Sequence, residues 1–241
     1  MTVILEAKNL TKSYGGVRVV DDLSVSLVQG EALGVVGPNG AGKTTMLNLL
    51  TGVAHPDAGT VVFAGRDISH MPPEQRCHLG LGRTYQIPRP FEGMTVFENV
   101  LVGATYGRRM SEKVSYDLSA RALQRVSLLP RANVLAESLS LLERKRLELA
   151  RALAIEPKVL LLDEIAGGLT EHEVQSLIET IKALRAEGIT IIWIEHIVHA
   201  LLAVVDRLIA LDFGKLIAEG DPTVVINSPE VRNVYMGSMA P

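Results

Sequence analysis

Residues 37–44 read GPNGAGKT, and no other feature of the chain restricts its fold as tightly. They fit the pattern G-x-x-x-x-G-K-S/T. At average residue usage such a match arises in about one random chain of this length in a hundred. The flanks narrow it further. The short apolar run EALGVV leads in, and a helical pattern with Met46, Leu47, Leu49 and Leu50 leads out. Glycines let successive backbone N–H groups turn inward around phosphate oxygens. The helix that follows presents its positive N-terminal end to the same anion. In that arrangement Lys43 reaches the outer phosphates, and Thr44 offers a hydroxyl to Mg²⁺. A glycine-rich turn without a ligand is the competing reading, and the strand before and helix after weigh against it.

The 241 residues suffice for a substantial core, and 47% of them are apolar, which excludes a disordered chain. With 24 basic against 27 acidic residues the net charge is −3, so no broad basic face for nucleic acid is expected. Cys77 is the one cysteine, so there is no internal disulfide. The opening MTVILEAKNL lacks the basic and long apolar regions of a secretory signal. No uncharged apolar run reaches the roughly 18 residues of a membrane span. The longest, IIWIEHIVHALLAVV, contains Glu195 and two histidines. A soluble chain is expected, free to dock onto a membrane partner.

Near-alternating apolar residues in VILEAKNL, VVDDLSVSLVQG and TVVFAGRDI predict half-exposed strands in the first third. From about residue 88 to 150 the pattern turns helical: FEGMTVFENVLVGATYG, SYDLSARALQRVSLL and LLERKRLELARALA suit helices. Two continuous apolar runs follow, KVLLLDE and GITIIWIEH, as in strands covered on both faces. The helix EHEVQSLIETIKALRAEG joins them. RLIALDFGKLIAEGDP reads as a hairpin turning at Asp212–Lys215, and a terminal helix ends the chain. The expected organisation is one compact α/β unit with an inserted helical region.

Asp163 and Glu164 end the first of those strands, and ligands of open α/β sheets collect at that edge. Asp163 suits a water-mediated Mg²⁺ contact, and Glu164 suits a general base for an attacking water. Read singly, His196 is a strand-end histidine, Gln86 a polar loop residue and Tyr14 an exposed tyrosine that could stack a base.

In order along the chain, these elements resemble the ATP-binding cassette of ABC transporters. Tyr14 is similar to the adenine-stacking aromatic. GPNGAGKTT, that is Gly37, Pro38, Asn39, Gly40, Ala41, Gly42, Lys43, Thr44 and Thr45, resembles Walker A. Gln86 resembles the Q-loop glutamine, VLLLDE resembles Walker B with the catalytic glutamate, and His196 resembles the switch histidine. The resemblance implies a P-loop NTPase ABC cassette over residues 1–241. It would have a RecA-like core, an N-terminal antiparallel β-subdomain and an inserted α-helical subdomain at about 88–150. It further implies ATP hydrolysis with ATP and Mg²⁺ bound, the metal by Thr44, Gln86 and Asp163, and catalysis by Glu164, His196 and Gln86.

GLGRTYQIPRPFEGMTVFENVLVG and RKRLELARALA look like the ATPases of branched-chain amino acid importers, with the lipopolysaccharide-export ATPase as a rival. The implied partners are a second ATPase subunit, like or unlike, two transmembrane permease subunits and, indirectly, an extracytoplasmic substrate-binding protein. The implied location is cytoplasmic, peripheral on the inner face of the cell membrane.

One motif departs. The family's signature LSGGQ stands here as LSLLE, residues 139–143, with Leu141 and Leu142 for the glycines and Glu143 for glutamine. Ser140 and Leu142 are still placed by the resemblance at a partner subunit's ATP. Ser140 and Glu143 fit a capping box, which would hold the helix start. Were either leucine required at positive φ, the change would cost about 1–2 kcal/mol. Ile165 replaces the usual proline, and Thr170 stands where aspartate is common. These departures also admit a subunit of weak hydrolysis working beside an unlike ATPase.

Overall fold

The structure, a computed structural model, describes residues 2–108 and 110–237. Its first elements are β1 (Val3–Tyr14), β2 (Val17–Val28), β3 (Ala32–Val36), α1 (Lys43–Thr51), β4 (Ala58–Phe63), β5 (Arg66–Asp67) and α2 (Pro73–Leu79). Then come β6 (Leu81–Arg83), α3 (Val96–Arg108), α4 (Glu112–Arg125), α5 (Leu141–Leu153), β7 (Val159–Asp163) and α6 (Glu171–Ala186). Last are β8 (Thr190–Ile194), α7 (Val198–Leu202), β9 (Arg207–Asp212), β10 (Lys215–Gly220), α8 (Pro222–Ile226) and α9 (Pro229–Gly237). Backbone contacts divide the chain into two compact units, one built from residues up to Arg76 and from Thr190 onward, the other from Cys77–Ile189.

The first unit contains an antiparallel sheet in the order β2-β1-β4-β5. Its strands alternate as expected. Leu5, Ala7 and Leu10 on β1 and Val20, Leu23 and Leu27 on β2 are buried, with exposed residues among them. The same unit holds β3 between β8 and β9, all parallel, with β10 returning antiparallel beside β9. Every residue of β3 and β8 is buried, which is why these strands lack alternation. Arg207 at the start of β9 ties the two sheets: it grips both carboxylate oxygens of Glu31, at 2.6 and 3.1 Å, and donates to the Ser26 carbonyl of β2 at 2.6 Å.

In the second unit β6 runs parallel to the fully buried β7, and α3, α4 and α5 pack on one another. Helix α3 starts at Val96, five residues later than the apolar pattern from Phe91 suggests. Thr95 and Glu98 form a reciprocal cap there, and the buried Asn99 amide holds the Phe91 N–H at 2.8 Å and carbonyl at 3.0 Å, keeping residues 91–95 out of the helix. Helix α2 and the three-residue β6 are additions to the expected elements. Among the described residues no helix is long and apolar enough to cross a membrane.

Candidate functional site

The first unit carries the phosphate loop. It leaves β3 at Gly37 and enters α1 at Lys43. Two glycines are needed by shape. Gly37 (φ +154) would bring a Cβ within 2.3 Å of the Leu211 carbonyl, and Gly42 (φ +97) within 2.6 Å of the Val19 carbonyl. Lys43 is buried and curls into the loop, donating to the carbonyls of Gly37 at 2.7 Å and Pro38 at 2.9 Å. Thr44 is exposed and Thr45 half-buried beside it.

Helix α1 has no side-chain cap and no acid in its first turn. The first N–H groups of a helix have no partner inside it, and an end without a side-chain cap or an acid can accept an anion. The β9–β10 turn supports the loop from below: the Gly214 N–H donates to the Ala41 carbonyl at 3.1 Å. Phe213 (φ +43) and Gly214 (φ +79) are both left-handed, the twist a tight hairpin requires, and the turn falls at Asp212–Lys215 as expected. An open cleft of about 560 Å³ lies along Pro38, Asn39, Gly40, Ala41 and Phe213.

Tyr14 and His196 belong to the same unit, each at a strand end. Tyr14 closes β1, half exposed, with the Lys12 ammonium 5.6 Å from its ring centre. His196 follows β8, is exposed, and its backbone N–H donates to the buried Glu195 carboxylate at 3.0 Å.

The second unit brings Gln86, Asp163 and Glu164 together. Asp163 ends β7, nearly buried, and pairs with the equally buried Arg83 of β6 at 2.8 Å. Glu164 follows at φ +47, a left-handed geometry that costs a side-chain-bearing residue about 1–2 kcal/mol. Such strain gathers at functional positions. The Gln86 amide donates to the Glu164 carboxylate at 2.6 Å. An opening of about 390 Å³ is lined by Gln86, Leu141, Lys145, Glu164 and Gly168. Carboxylate and amide oxygens here and the Thr44 hydroxyl in the first unit are hard donors of the kind Mg²⁺ prefers. Sequence reasoning missed Arg83 and Lys145, whose partners are distant along the chain.

At the start of α5 the capping box is present: Ser140 accepts the Glu143 N–H at 3.3 Å, and the Ser140 N–H donates to Glu143 at 2.9 Å. Arg131 neutralises Glu143 at 3.1 Å. Leu141 and Leu142 are ordinary right-handed helical residues, so the feared positive-φ strain does not arise. The Leu141 side chain lies back over Gly168, 3.2 Å from where a Cβ there would stand. Thr170 is the N-cap of α6 in a second capping box with Glu173.

Comparison with known proteins agrees with this geometry. The family model described as ABC transporter matches residues 20–167. The high-affinity branched-chain amino acid transport ATP-binding protein LivG of Salmonella typhimurium is 35% identical over 97% of this chain and 98% of its own. The lipopolysaccharide export system ATP-binding protein LptB of Escherichia coli (strain K12) is 36% identical, covering 97% of each chain. Among solved structures, the ADP conformation of MJ1267, an ATP-binding cassette of an ABC transporter, superposes with a TM-score of 0.89 at 30% identity, over 98% of this chain and 100% of that one. A phosphate loop at the head of an uncapped helix, an acidic pair at the end of a buried strand and these matches place the chain in the ABC transporter family, as an ATP-hydrolysing ATP-binding subunit.

Proposed function

We propose that residues 1–241 act as one ATP-binding domain in which Glu164 is the base that activates water for ATP hydrolysis. The observation that carries this is the Glu164 carboxylate at the end of buried β7, in a left-handed backbone, held by the Gln86 amide at 2.6 Å. The water oxygen attacks the γ-phosphorus, its proton passes to Glu164, and the bond to the β–γ bridging oxygen breaks, leaving ADP and phosphate. Residues Gly37 to Thr45 cradle the phosphates with N–H groups, and Lys43 swings from its carbonyl partners to the β and γ oxygens. Tyr14 stacks the base and His196 contacts the γ-phosphate. Thr44 and Gln86, with Asp163 through a water, would hold Mg²⁺, which would offset phosphoryl charge.

A second ATPase subunit, like or unlike, completes the site; in this chain the turn offered to a partner's ATP is the Ser140 hydroxyl and the first N–H groups of α5, that of Leu142 included. Ser140 accepts from Glu143, so its hydroxyl proton remains available to a phosphate oxygen. The exposed Tyr85, Ile87 and Phe91 beside Gln86 suit a pair of membrane permease subunits, on the cytoplasmic face. Uptake of branched-chain or related amino acids, delivered by an extracytoplasmic binding protein, is the transport reading favoured by the LivG likeness. Lipopolysaccharide export is the second reading, favoured by the similar likeness to LptB. In Glu164→Gln, calorimetry is expected to find wild-type MgATP affinity while phosphate release falls at least about a hundredfold. Undiminished turnover in that variant removes Glu164 as the base.

A further inference from the structure

Lys145, Glu148 and Arg151 stand three apart on α5, along one helix face. Lys145 is 3% exposed and Glu148 7%. Charged groups tolerate such burial only when they are bonded, and these three are bonded along a single segment. Lys145 donates to the Gln86 carbonyl at 2.6 Å and reaches the Glu164 carbonyl at 3.4 Å. Glu148 accepts the Arg89 N–H. Arg151 donates to the Arg89 carbonyl at 2.9 Å and to Glu148 at 3.0 Å, and its guanidinium covers the Phe91 ring at 4.9 Å. Burial pushes the Glu148 carboxyl up, against the pull of Arg151, the Arg89 N–H and Lys145. Helix α5 thus carries residues 86–91 on its own side chains.

Three of the contacts close a ring: Lys145 to the Gln86 carbonyl, Lys145 to the Glu164 carbonyl, and the Gln86 amide to the Glu164 carboxylate. One buried ammonium therefore sets both backbone positions on which the direction of that carboxylate depends. The left-handed backbone of Glu164 persists only where its surroundings hold it, and its carbonyl accepts from Lys145 and from the Gly167 N–H.

We propose that Lys145 is a positioning residue for ATP hydrolysis, holding the Glu164 carboxylate on the attacking water through the carbonyls of Gln86 and Glu164. This rests on Glu164 being the base, as proposed above. A displacement of about 1 Å at a reacting group costs on the order of a hundredfold in rate.

The test uses the purified full chain, with kcat from phosphate release and Kd from MgATP titration. Lys145→Met is expected to lower kcat about tenfold to a hundredfold with Kd changed less than about twofold. Lys145→Arg, whose forked N–H groups still span two carbonyls, is expected to recover most of that loss. Added to Gln86→Ala, Lys145→Met is expected to lower kcat little further, because both act on one carboxylate. A kcat within about twofold of wild type in Lys145→Met overturns the proposal, as does an equal loss of ATP affinity or full additivity with Gln86→Ala. Should Lys145→Met not fold, Lys145→Gln takes its place: a loss larger than that of Lys145→Arg at constant Kd supports the role, and wild-type kcat in both overturns it. Undiminished turnover in Glu164→Gln would instead remove the base on which the proposal rests, whatever the Lys145 variants do.

Discussion

Gly42 joins backbone shape to the proposed phosphate binding in a single residue. It caps α1 in a left-handed conformation, and a methyl group there would meet the Val19 carbonyl at 2.6 Å. Gly42→Ala is therefore expected to cost about 1–3 kcal/mol in urea unfolding and to weaken MgATP binding, because the N–H groups of Lys43 and Thr44 move with the strained turn. Full stability with unchanged affinity would show that the loop yields freely. That a glycine belongs at this turn was legible from its spacing to Lys43. The left-handed Glu164 was not, since nothing in VLLLDE announces a positive φ. Nor were the pairing of Arg83 with Asp163 or that of Lys145 with Gln86, which join residues 80 and 59 positions apart. Contacts at that separation leave no local signature.

At the level of elements, one local signal repeats. Thr95 with Glu98, Ser140 with Glu143 and Thr170 with Glu173 each close the first turn of a helix, and each follows the S/T-x-x-E spacing. α1 follows no such rule, which fits an end that takes an anion. The same signal, read at residue 95, would have placed the start of α3 correctly. Helix α2 opens on Pro73 and Glu74, a legible start, but its purpose is not local. Its Arg76 is fully buried and donates to the carbonyls of Leu49 and Leu50 at the end of α1, and to those of Ser69 and Met71. A cation at that end complements the helix dipole. Burial lowers Arg76 to about 10, which leaves it charged at neutral pH.

Arg207 and Glu31 are expected to give the first unit a pH-dependent stability. Burial alone would raise Glu31, but the bonds from Arg207 and the Val28 N–H outweigh it and hold the carboxyl below its usual 4.5. As pH falls, the unfolded chain takes up this proton first, so the contribution is complete above about 4.5 and is lost as pH drops through the lower folded value. Thermal melts from pH 7 down to 3 are expected to show Arg207→Met losing less stability on acidification than wild type. Parallel curves for the two proteins would mean that Arg207 does not lower the Glu31 carboxyl in the folded chain.

For the molecule as a whole, the order of motifs carried more than their individual strength. The alternating strands of the first third, the two buried strands near residues 159–163 and 190–194, the helical stretch between them and the closing hairpin were all readable. They were readable because period and hydrophobicity are local properties. The pairing order β10-β9-β3-β8 and the parallel β6 were not, because strand partners are chosen by the packed core. The proposed hold of residues 37–45 on the nucleotide is tested most directly by titrating the chain of 241 residues with MgATP. Saturable binding below millimolar concentration, abolished in Lys43→Ala while that variant still melts cooperatively, is the expected result. A folded wild-type chain that takes up no MgATP at millimolar concentration, or a Lys43→Ala variant that binds as well as wild type, would contradict it.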